Sequence, residues 1–190
     1  MTTILSRERD KTLSCTDCSL CKGRTQVVYG EGNENAHLMF IGEAPGETED
    51  QLGRPFVGKS GQYLRGIIEG LGGNIADCYI TNIVKCRPPN NRLPEYKEIV
   101  ACWPKWQEEV KIIKPRLIVT LGVTAMRELL NGIVGLGTLR GQIYSSALGS
   151  KVMPTWHPSY ILRYRPKAEE FKKDIRKALE FSKLIEGVKK

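Results

Sequence analysis

Residues 116–122 read RLIVTLG, a short apolar run that ends on a glycine. Three other runs have the same character, namely HLMFIG at 37–42, CYITNIV at 78–84 and KVMPTW at 151–156. Short apolar runs that are rich in β-branched side chains and bounded by turn residues are typical of buried strands. The sequence therefore predicts that these runs form the strands of one buried sheet.

Helical patterns alternate with the predicted strands. Apolar residues recur at helical spacing near residues 60–71, 95–113 and 123–130, and again in the C-terminal segment. Strand and helix in alternation form right-handed crossovers, which produce a parallel sheet covered on both faces. We therefore predict an α/β fold, a three-layer α/β/α sandwich with a central, mostly parallel sheet of about four strands.

Length and composition are those of an ordinary globular protein. The chain has 190 residues, of which 41% are hydrophobic and 26% charged, and this length suits one domain over residues 1–190. No apolar run approaches the ~20 residues of a membrane-spanning helix. The start, MTTILSRERDK, lacks the apolar core of a signal peptide. We expect a cytoplasmic protein with no membrane partner.

The charge balance favours a polyanionic partner. Lysine and arginine number 29 against 21 acidic residues, which gives a net charge of +8. A basic surface attracts nucleic acid, although charge alone does not identify the partner. In a reducing compartment, the six cysteines are better explained by metal binding than by disulfides.

The spacing of the cysteines suggests a metal site made from two distant pairs. Cys15 and Cys18 form a C-x2-C pair, and Cys86 and Cys102 form a wider one. Four thiolates can hold either zinc or a [4Fe-4S] cluster. The wide second pair departs from the tight knuckles of zinc sites and therefore favours the cluster, while scattered free cysteines are the alternative.

Two cysteines fit this arrangement less well. Cys21 extends the first pair to C-x2-C-x2-C, as in bacterial ferredoxins, but Thr25 stands where such a run needs its fourth cysteine. Cys78 belongs to an apolar run, where a buried, unreactive thiol is common. We interpret both as bystanders.

One segment imitates a phosphate-binding loop. Residues 53–60, GRPFVGKS, match G-x4-G-K-[ST] and suggest a nucleoside triphosphatase as an alternative function. Such a loop must follow directly from a strand, but an acidic stretch at 47–50 separates it from the strand that ends near Gly42. Pro55 also has no N–H group to offer to phosphate. The context therefore argues against this function.

Ligands of parallel sheets bind beyond the carboxyl ends of the strands. Three segments near those ends, GEAPGETEDQLGRPFVGKSG at 42–61, YITNIVKCRPP at 79–89 and WHPSYILR at 156–163, together with Cys15, Cys18, Cys86 and Cys102, resemble the motifs of family 4 uracil-DNA glycosylases. The resemblance covers most of the chain, in order and spacing.

The resemblance implies a DNA-repair hydrolase that excises uracil from single- or double-stranded DNA and leaves an abasic site. It also implies a [4Fe-4S] cluster on Cys15, Cys18, Cys86 and Cys102. We expect a monomer that uses no nucleotide cofactor. A non-enzymatic, metal-stapled protein that binds nucleic acid is the alternative from another class.

Three residues fit the handling of an extruded base, which must be stacked on a ring and read at its Watson-Crick edge. Phe56 offers the ring, although a core phenylalanine is the alternative. Asn82 offers an amide that pairs with N3-H and O4 of uracil and mismatches cytosine, although a structural asparagine at a strand end is the alternative. His157 offers a donor to O2, where negative charge develops as the base departs.

The loop after the first strand supplies the rest of the predicted site. The backbone of Gly42, Glu43 and Ala44 is expected to line the uracil pocket. In the wider superfamily, an aspartate that handles water and a tyrosine that excludes thymine occupy the positions of Ala44 and Gly46. Since neither is present, we assign the water to Glu49, with Glu43 second; an exposed acidic turn is the alternative.

Further residues are predicted to contact DNA. Ile161 and Leu162 follow the His157 loop and are candidates for an apolar wedge in the base stack. Arg87 and Arg163, with Arg92 and Arg165, lie on loops near the predicted pocket and are candidates for phosphate contacts, although exposed arginines are ordinary on any loop.

Overall fold

A computed structural model describes residues 3–130 and 135–185, so residues 1–2, 131–134 and 186–190 of the predicted domain lie outside the description. The sheet contains β1 (Glu31–Gly32), β2 (Leu38–Gly42), β3 (Tyr79–Asn82), β4 (Leu117–Leu121), β5 (Tyr144–Ser145) and β6 (Lys151–Thr155). Its strand order is β1-β3-β2-β4-β6-β5. The four predicted strands form its parallel centre.

The two additional strands lie at the edges of the sheet. β1 pairs antiparallel with β3, and β5 pairs antiparallel with β6. Each is only two residues long, which is too short to produce a recognisable alternation of apolar and polar residues. The sheet therefore has six strands where the sequence predicts about four.

The helices are α1 (Ile4–Leu13), α2 (Glu47–Leu52), α3 (Lys59–Gly70), α4 (Tyr96–Ile113), α5 (Val123–Leu130), α6 (Leu136–Leu139), α7 (Pro158–Arg163) and α8 (Ala168–Phe181). Helices α3, α4, α5 and α8 match the predicted ones. The others are short or, like α1, bury few residues. Within the described part of the chain, no helix is long and apolar enough to cross a bilayer.

Side chains alternate between two cores, one on each face of the sheet. Met39 and Ile41 join a core that contains residues of α1, α4 and α5. Leu38 and Phe40 join the other, which contains residues of α3, α7 and α8. The predicted three-layer α/β/α arrangement is confirmed, and the central strands are buried on both faces for that reason.

The carboxyl ends of the central strands meet at one edge of the sheet. β2 ends at Gly42, and the register places Gly42 beside Asn82, the last residue of β3. β6 ends at Thr155, two residues before His157. Loops from separate crossovers therefore converge at this edge, as expected for an open parallel sheet.

Candidate active site

A cavity of about 400 Å³ lies at this edge of the sheet. Phe56, Asn82 and His157, which come from three separate segments of the sequence, all line it. The other residues on its wall that the sequence analysis singled out are Glu43, Ala44, Glu49, Arg92 and Arg163. The fold thus gathers most of the predicted base-handling residues around one space.

Gly42, which was predicted to line the pocket, is not on the wall of the cavity but lies directly against two residues that are. A Cβ atom at Gly42 would lie 2.5 Å from Cζ of Phe56 and 2.5 Å from Oδ1 of Asn82. A side chain at residue 42 would force the Phe56 ring or the Asn82 amide to shift, because Cβ contacts are essentially never this short. Gly42 therefore lets the ring and the amide approach the same point of the backbone.

The Phe56 ring is held by an unusual backbone conformation. Phe56 has a φ of 54°, in the left-handed region that non-glycine residues seldom adopt. The strained turn is fixed by hydrogen bonds on both sides. Nε of Arg65 donates to the Phe56 carbonyl at 3.1 Å, and Oε1 of Glu49 accepts the N–H groups of Val57 at 3.0 Å and Gly58 at 2.7 Å.

The same hydrogen bonds explain why residues 53–60 do not form a phosphate-binding loop. The segment follows α2 rather than a strand. Its Val57 and Gly58 N–H groups, which a phosphate would need, already bind the buried carboxylate of Glu49. A phosphate placed there would have to displace the Glu49 carboxylate, which is also negatively charged.

Asn82 is buried at the end of β3, and its amide oxygen has no donor. Its Oδ1 is shielded from solvent and accepts no hydrogen bond from the described residues. A buried acceptor without a donor costs free energy unless a ligand supplies the donor. Because Asn82 lines the cavity, its free oxygen indicates a ligand that carries an N–H or O–H group.

His157 begins α7 as its N-terminal cap, and its ring points into the same cavity. The backbone N–H of Ser159 donates to Nδ1 at 3.1 Å. Since a backbone N–H can only donate, Nδ1 must be the acceptor and the proton of the neutral ring must lie on Nε2. Burial, with a smaller contribution from Arg163, lowers the pKa of His157 to about 4.

Two residues that the sequence analysis missed support the predicted ones. Thr124, in the first turn of α5, donates its hydroxyl to Oε2 of Glu43. Ser159 orients His157 through its N–H group and its Oγ, which lies 2.7 Å from Nδ1. Thr124 had no sequence signal, because it becomes a neighbour of Glu43 only when α5 packs beside β2.

Five cysteines line a second, small cavity away from the first. They are Cys15, Cys18, Cys21, Cys86 and Cys102. Cys78 is not among them and is buried just before β3, where burial raises the pKa of its thiol to about 12. The four predicted ligands thus lie together, and Cys21, predicted to be a bystander, lies with them.

Two hydrogen-bond donors contact the sulfur atoms of the cysteine cavity. Nη1 of Arg24 lies 3.2 Å from Sγ of Cys86, and the backbone N–H of Lys85 donates to Sγ of Cys102 at 3.5 Å. Burial raises the pKa of Cys86 to about 11, and Arg24 opposes the increase. Groups that donate to sulfur stabilise thiolates, which are the form that binds metals.

Comparison with known proteins agrees with this geometry. A family model described as the Uracil DNA glycosylase superfamily matches residues 29–180. The chain is 44% identical over 179 residues to the type-4 uracil-DNA glycosylase of Thermotoga maritima, with 92% of each chain covered. It is 43% identical over 179 residues to that of Saccharolobus solfataricus, covering 90% of this chain and 83% of the relative.

The chain belongs to the type-4 group of the Uracil DNA glycosylase superfamily. Similarity to the type-5 group is lower. The type-5 uracil-DNA glycosylase of Pyrobaculum aerophilum is 32% identical over 146 residues, which cover 67% of this chain and 63% of the relative.

The structure contradicts one of the predicted DNA contacts. Ile161 is fully buried and packs in the core with α3 and α8, so it cannot enter a base stack. Leu162 is partly buried and does not line the cavity. Arg163 lines the cavity, whereas Arg87 lies outside its wall and forms an ion pair of 3.5 Å with Glu47.

Proposed function

We propose that the chain hydrolyses the N-glycosidic bond of deoxyuridine in single- or double-stranded DNA, releasing uracil and leaving an abasic site. The observation that carries this proposal is the convergence of Phe56, Asn82 and His157 on one cavity. A ring, an unpaired amide oxygen and a neutral imidazole are the groups that an extruded uracil requires. Family membership supports the same activity.

Base recognition would depend on Asn82. Its free Oδ1 accepts the N3-H of uracil, which leaves the amide N–H group to donate to O4. Cytosine has an acceptor at N3 and an amino group at C4, so both contacts would oppose like groups. The ring of Phe56, fixed in the left-handed turn, supplies the stacking surface.

Bond cleavage would depend on His157. As the glycosidic bond breaks, negative charge accumulates on O2 of the departing uracil and positive charge on the sugar. The Nε2 proton of His157 is a donor for that oxygen, and it binds the charged transition state more strongly than the neutral base. The low pKa of His157 keeps the ring neutral, so it donates this hydrogen bond without giving up the proton.

A carboxylate would orient the attacking water. Oε1 of Glu49 is occupied by two N–H groups of the Phe56 loop, which leaves Oε2 for water. Oε2 of Glu43 is occupied by the hydroxyl of Thr124. We assign the water to Glu49, whose rigid support from the loop fixes its position relative to the base, and we keep Glu43 as the second candidate.

We also propose that Cys15, Cys18, Cys86 and Cys102 hold a [4Fe-4S] cluster. In the described residues, no three side chains of His, Cys, Asp or Glu meet around a single metal position. The four cysteines line one cavity, and four thiolates are the ligand set of a [4Fe-4S] cluster. When bound, the cluster would tie residues 15–21 to the start of α4.

The activity is tested with an oligonucleotide that contains one uracil, followed by alkaline cleavage of abasic sites. We expect strand scission without added nucleotide, and a decrease in turnover of about 10²–10³-fold for His157→Ala. Unchanged binding of the oligonucleotide would show that this variant still folds. Binding without scission by the natural protein would favour the non-enzymatic alternative.

Base reading is tested with Asn82→Asp. The carboxylate can accept from N3-H but cannot donate to O4, so we expect kcat/KM for uracil to fall by about 10–100-fold, the effect of one unpaired buried group. Asn35→Asp, an exposed change outside the cavity, is the control. Equal rates for the two variants would exclude Asn82 from base recognition.

The cluster is tested by visible absorption and iron content. Cys86→Ala should lose the absorption band and part of the bound iron, because a four-cysteine site loses a ligand. Cys21→Ala is the matched control, since Cys21 lines the same cavity and should be dispensable. Loss of iron from Cys21→Ala with retention by Cys15→Ala would show that the ligand set is wrong.

A further inference from the structure

Asp50 is a buried carboxylate beside the proposed uracil cavity but outside its wall. It follows Glu49 in α2 and is only 3% exposed. Both of its carboxylate oxygens lie 3.0 Å from the backbone nitrogen of Thr25, which donates to them. Because a buried charge is costly unless it is hydrogen-bonded, this contact between α2 and a distant part of the chain is a strong constraint on both.

The segment that contains Thr25 docks on α2 at two further points. Nε2 of Gln26 donates to the carbonyl oxygen of Gln51 at 2.7 Å. The Gln26 amide also packs closely on Gly53, where a Cβ atom would lie 2.5 Å from its Oε1. A helix of six residues is not stable by itself in water. The position of α2 therefore depends on contacts of this kind.

The same helix carries Glu49, to which the attacking water is assigned. Oε1 of Glu49 accepts the N–H groups of Val57 and Gly58. A Cβ atom at Gly46 or Gly58 would lie 2.9 or 3.0 Å from the Glu49 oxygens, so the carboxylate fits closely between two glycines. Since Glu49 and Asp50 are consecutive residues of one short helix, a displacement of Asp50 also displaces the Glu49 carboxylate.

The Thr25 segment also reaches the cysteine cavity. Arg24, directly before Thr25, lines that cavity and places Nη1 3.2 Å from Sγ of Cys86. Hydrogen bonds to an ionised acceptor are stronger than those to a neutral one, so this contact is strongest when Cys86 is a thiolate. A continuous series of contacts thus runs from Cys86 through Arg24 and Thr25 to Asp50.

We propose that Asp50 is a positioning residue for hydrolysis, which docks the Thr25 segment on α2 and thereby holds the Glu49 carboxylate in place for the attacking water. The inference rests on the proposed function and on the assignment of the water to Glu49. It also gives the cysteine site a role at a distance, because Arg24 ties the docked segment to Cys86. Loss of a bound cluster should therefore loosen the Asp50 contact and the Phe56 loop.

The first test is the rate of uracil release in a single turnover at saturating DNA. Asp50→Ala removes the acceptor of the Thr25 N–H group and should lower this rate by about 10–100-fold, the effect of a misplaced catalytic group. Asp50→Asn keeps one acceptor oxygen and should lose less. Asp77→Ala, an exposed aspartate outside both cavities, is the matched control and should keep the natural rate.

The second test asks whether Asp50 acts through Glu49. Residues that act through one another have non-additive effects. Adding Asp50→Ala to Glu49→Gln should therefore lower the rate little further, because the charge that Asp50 positions is already absent. A general loss of stability would instead lower the rate by the same factor with and without Glu49→Gln.

Hydrogen exchange provides a measurement that does not depend on turnover. In Asp50→Ala, the N–H groups of Val57 and Gly58, which bind Glu49, should exchange faster than in the natural protein. Exchange in β4 should be unchanged. Removing the cluster from the natural protein with ferricyanide and EDTA should increase exchange at Thr25, Val57 and Gly58.

The outcomes separate this proposal from the proposed function. An unchanged rate in Asp50→Ala, an equal loss in the Glu49→Gln background, loss of iron from Asp50→Ala, or unchanged exchange at Val57 and Gly58 in that variant would overturn the positioning role and leave uracil excision intact. Unchanged exchange after cluster removal would overturn the link to Cys86. If the natural protein releases no uracil, the proposed function fails, and the exchange measurement still decides whether Asp50 holds the Glu49 contacts.

Discussion

The hydrogen bond from Ser159 to Nδ1 determines what His157 can do. With Nδ1 acting as an acceptor, the only proton of the neutral ring lies on Nε2. A protonated ring would place two N–H groups in opposition at Nδ1. The structure and the desolvation of the ring therefore favour the same neutral tautomer.

This arrangement predicts an acid-labile contribution to stability. The pKa of His157 is lowered to about 4 from an ordinary value of 6.5, so between these pH values the unfolded chain takes up a proton that the native ring refuses. The contribution is complete above pH 6.5 and decreases as the pH falls towards 4. A ¹⁵N NMR titration should show a protonated Nε2 at pH 7 and a midpoint well below 6; a midpoint near 6.5 would contradict the assignment.

A second prediction at this scale separates the two carboxylates. Glu49→Gln can keep an oxygen acceptor for the Val57 and Gly58 N–H groups while removing the charge. Its turnover should therefore fall by about 10²–10⁴-fold, the range for a lost general base, with little change in melting temperature. Glu43→Gln should lose less. A larger loss in Glu43→Gln would transfer the water to that residue.

At the scale of elements, the site depends on how α3 meets the loop that precedes it. A Cβ atom at Gly61 would lie 2.0 Å from the carbonyl oxygen of Phe56. The helix can approach the strained turn only because residue 61 has no side chain. This close approach positions the Phe56 ring, so the packing of α3 and the position of the proposed stacking surface depend on each other.

Two glycines of α3 should therefore respond in opposite ways to the same substitution. Gly61→Ala forces the Phe56 turn to move and should lower both the melting temperature and the excision rate. At Gly66 a Cβ atom meets nothing within 4 Å, so Gly66→Ala should stabilise the protein by about 0.5–1 kcal/mol through higher helix propensity. Thermal denaturation of both variants tests the comparison, and similar shifts would contradict it.

At the scale of the whole molecule, a buried ion pair joins the sheet to α4. Oε2 of Glu109 lies 2.5 Å from Nζ of Lys85 and accepts the hydroxyl of Thr81 at 2.8 Å. Oε1 accepts the Tyr79 hydroxyl at 3.2 Å and the Gly30 N–H at 3.0 Å. One carboxylate thus connects β3, the segment before β1, and the residue that precedes the proposed ligand Cys86.

Removing one partner of this pair should be costly. Glu109→Ala leaves the ammonium of Lys85 buried without its counter-charge, which should lower the free energy of unfolding by about 3–5 kcal/mol. The double variant Lys85→Met, Glu109→Leu removes both charges and should recover much of the loss. Chemical denaturation measures both; a double variant less stable than Glu109→Ala would show that the charges themselves are required.

The sequence by itself determined the central strands, the four longer helices that cover them and the placement of the candidate base-handling residues at strand ends. Apolar runs and helical periodicity mark the buried elements, and the alternation of strands with helices predicts that the strands are parallel. The base-handling residues were identified through the resemblance of their segments to family 4 uracil-DNA glycosylases, because Phe56 and Asn82 taken alone also fit structural roles.

Only the tertiary structure decided which side chains on short elements face solvent. Ile161 and Leu93 are both apolar residues on short segments, yet Ile161 is in the core and Leu93 is exposed and lines the cavity. The six-residue α7 has too few turns for its pattern to specify a buried face. The segment around Leu93 is held by the hydrogen bonds of Arg92 to Glu98. Contacts between residues far apart in sequence, such as Thr124 with Glu43, form only when helices pack on the sheet, which no local pattern records.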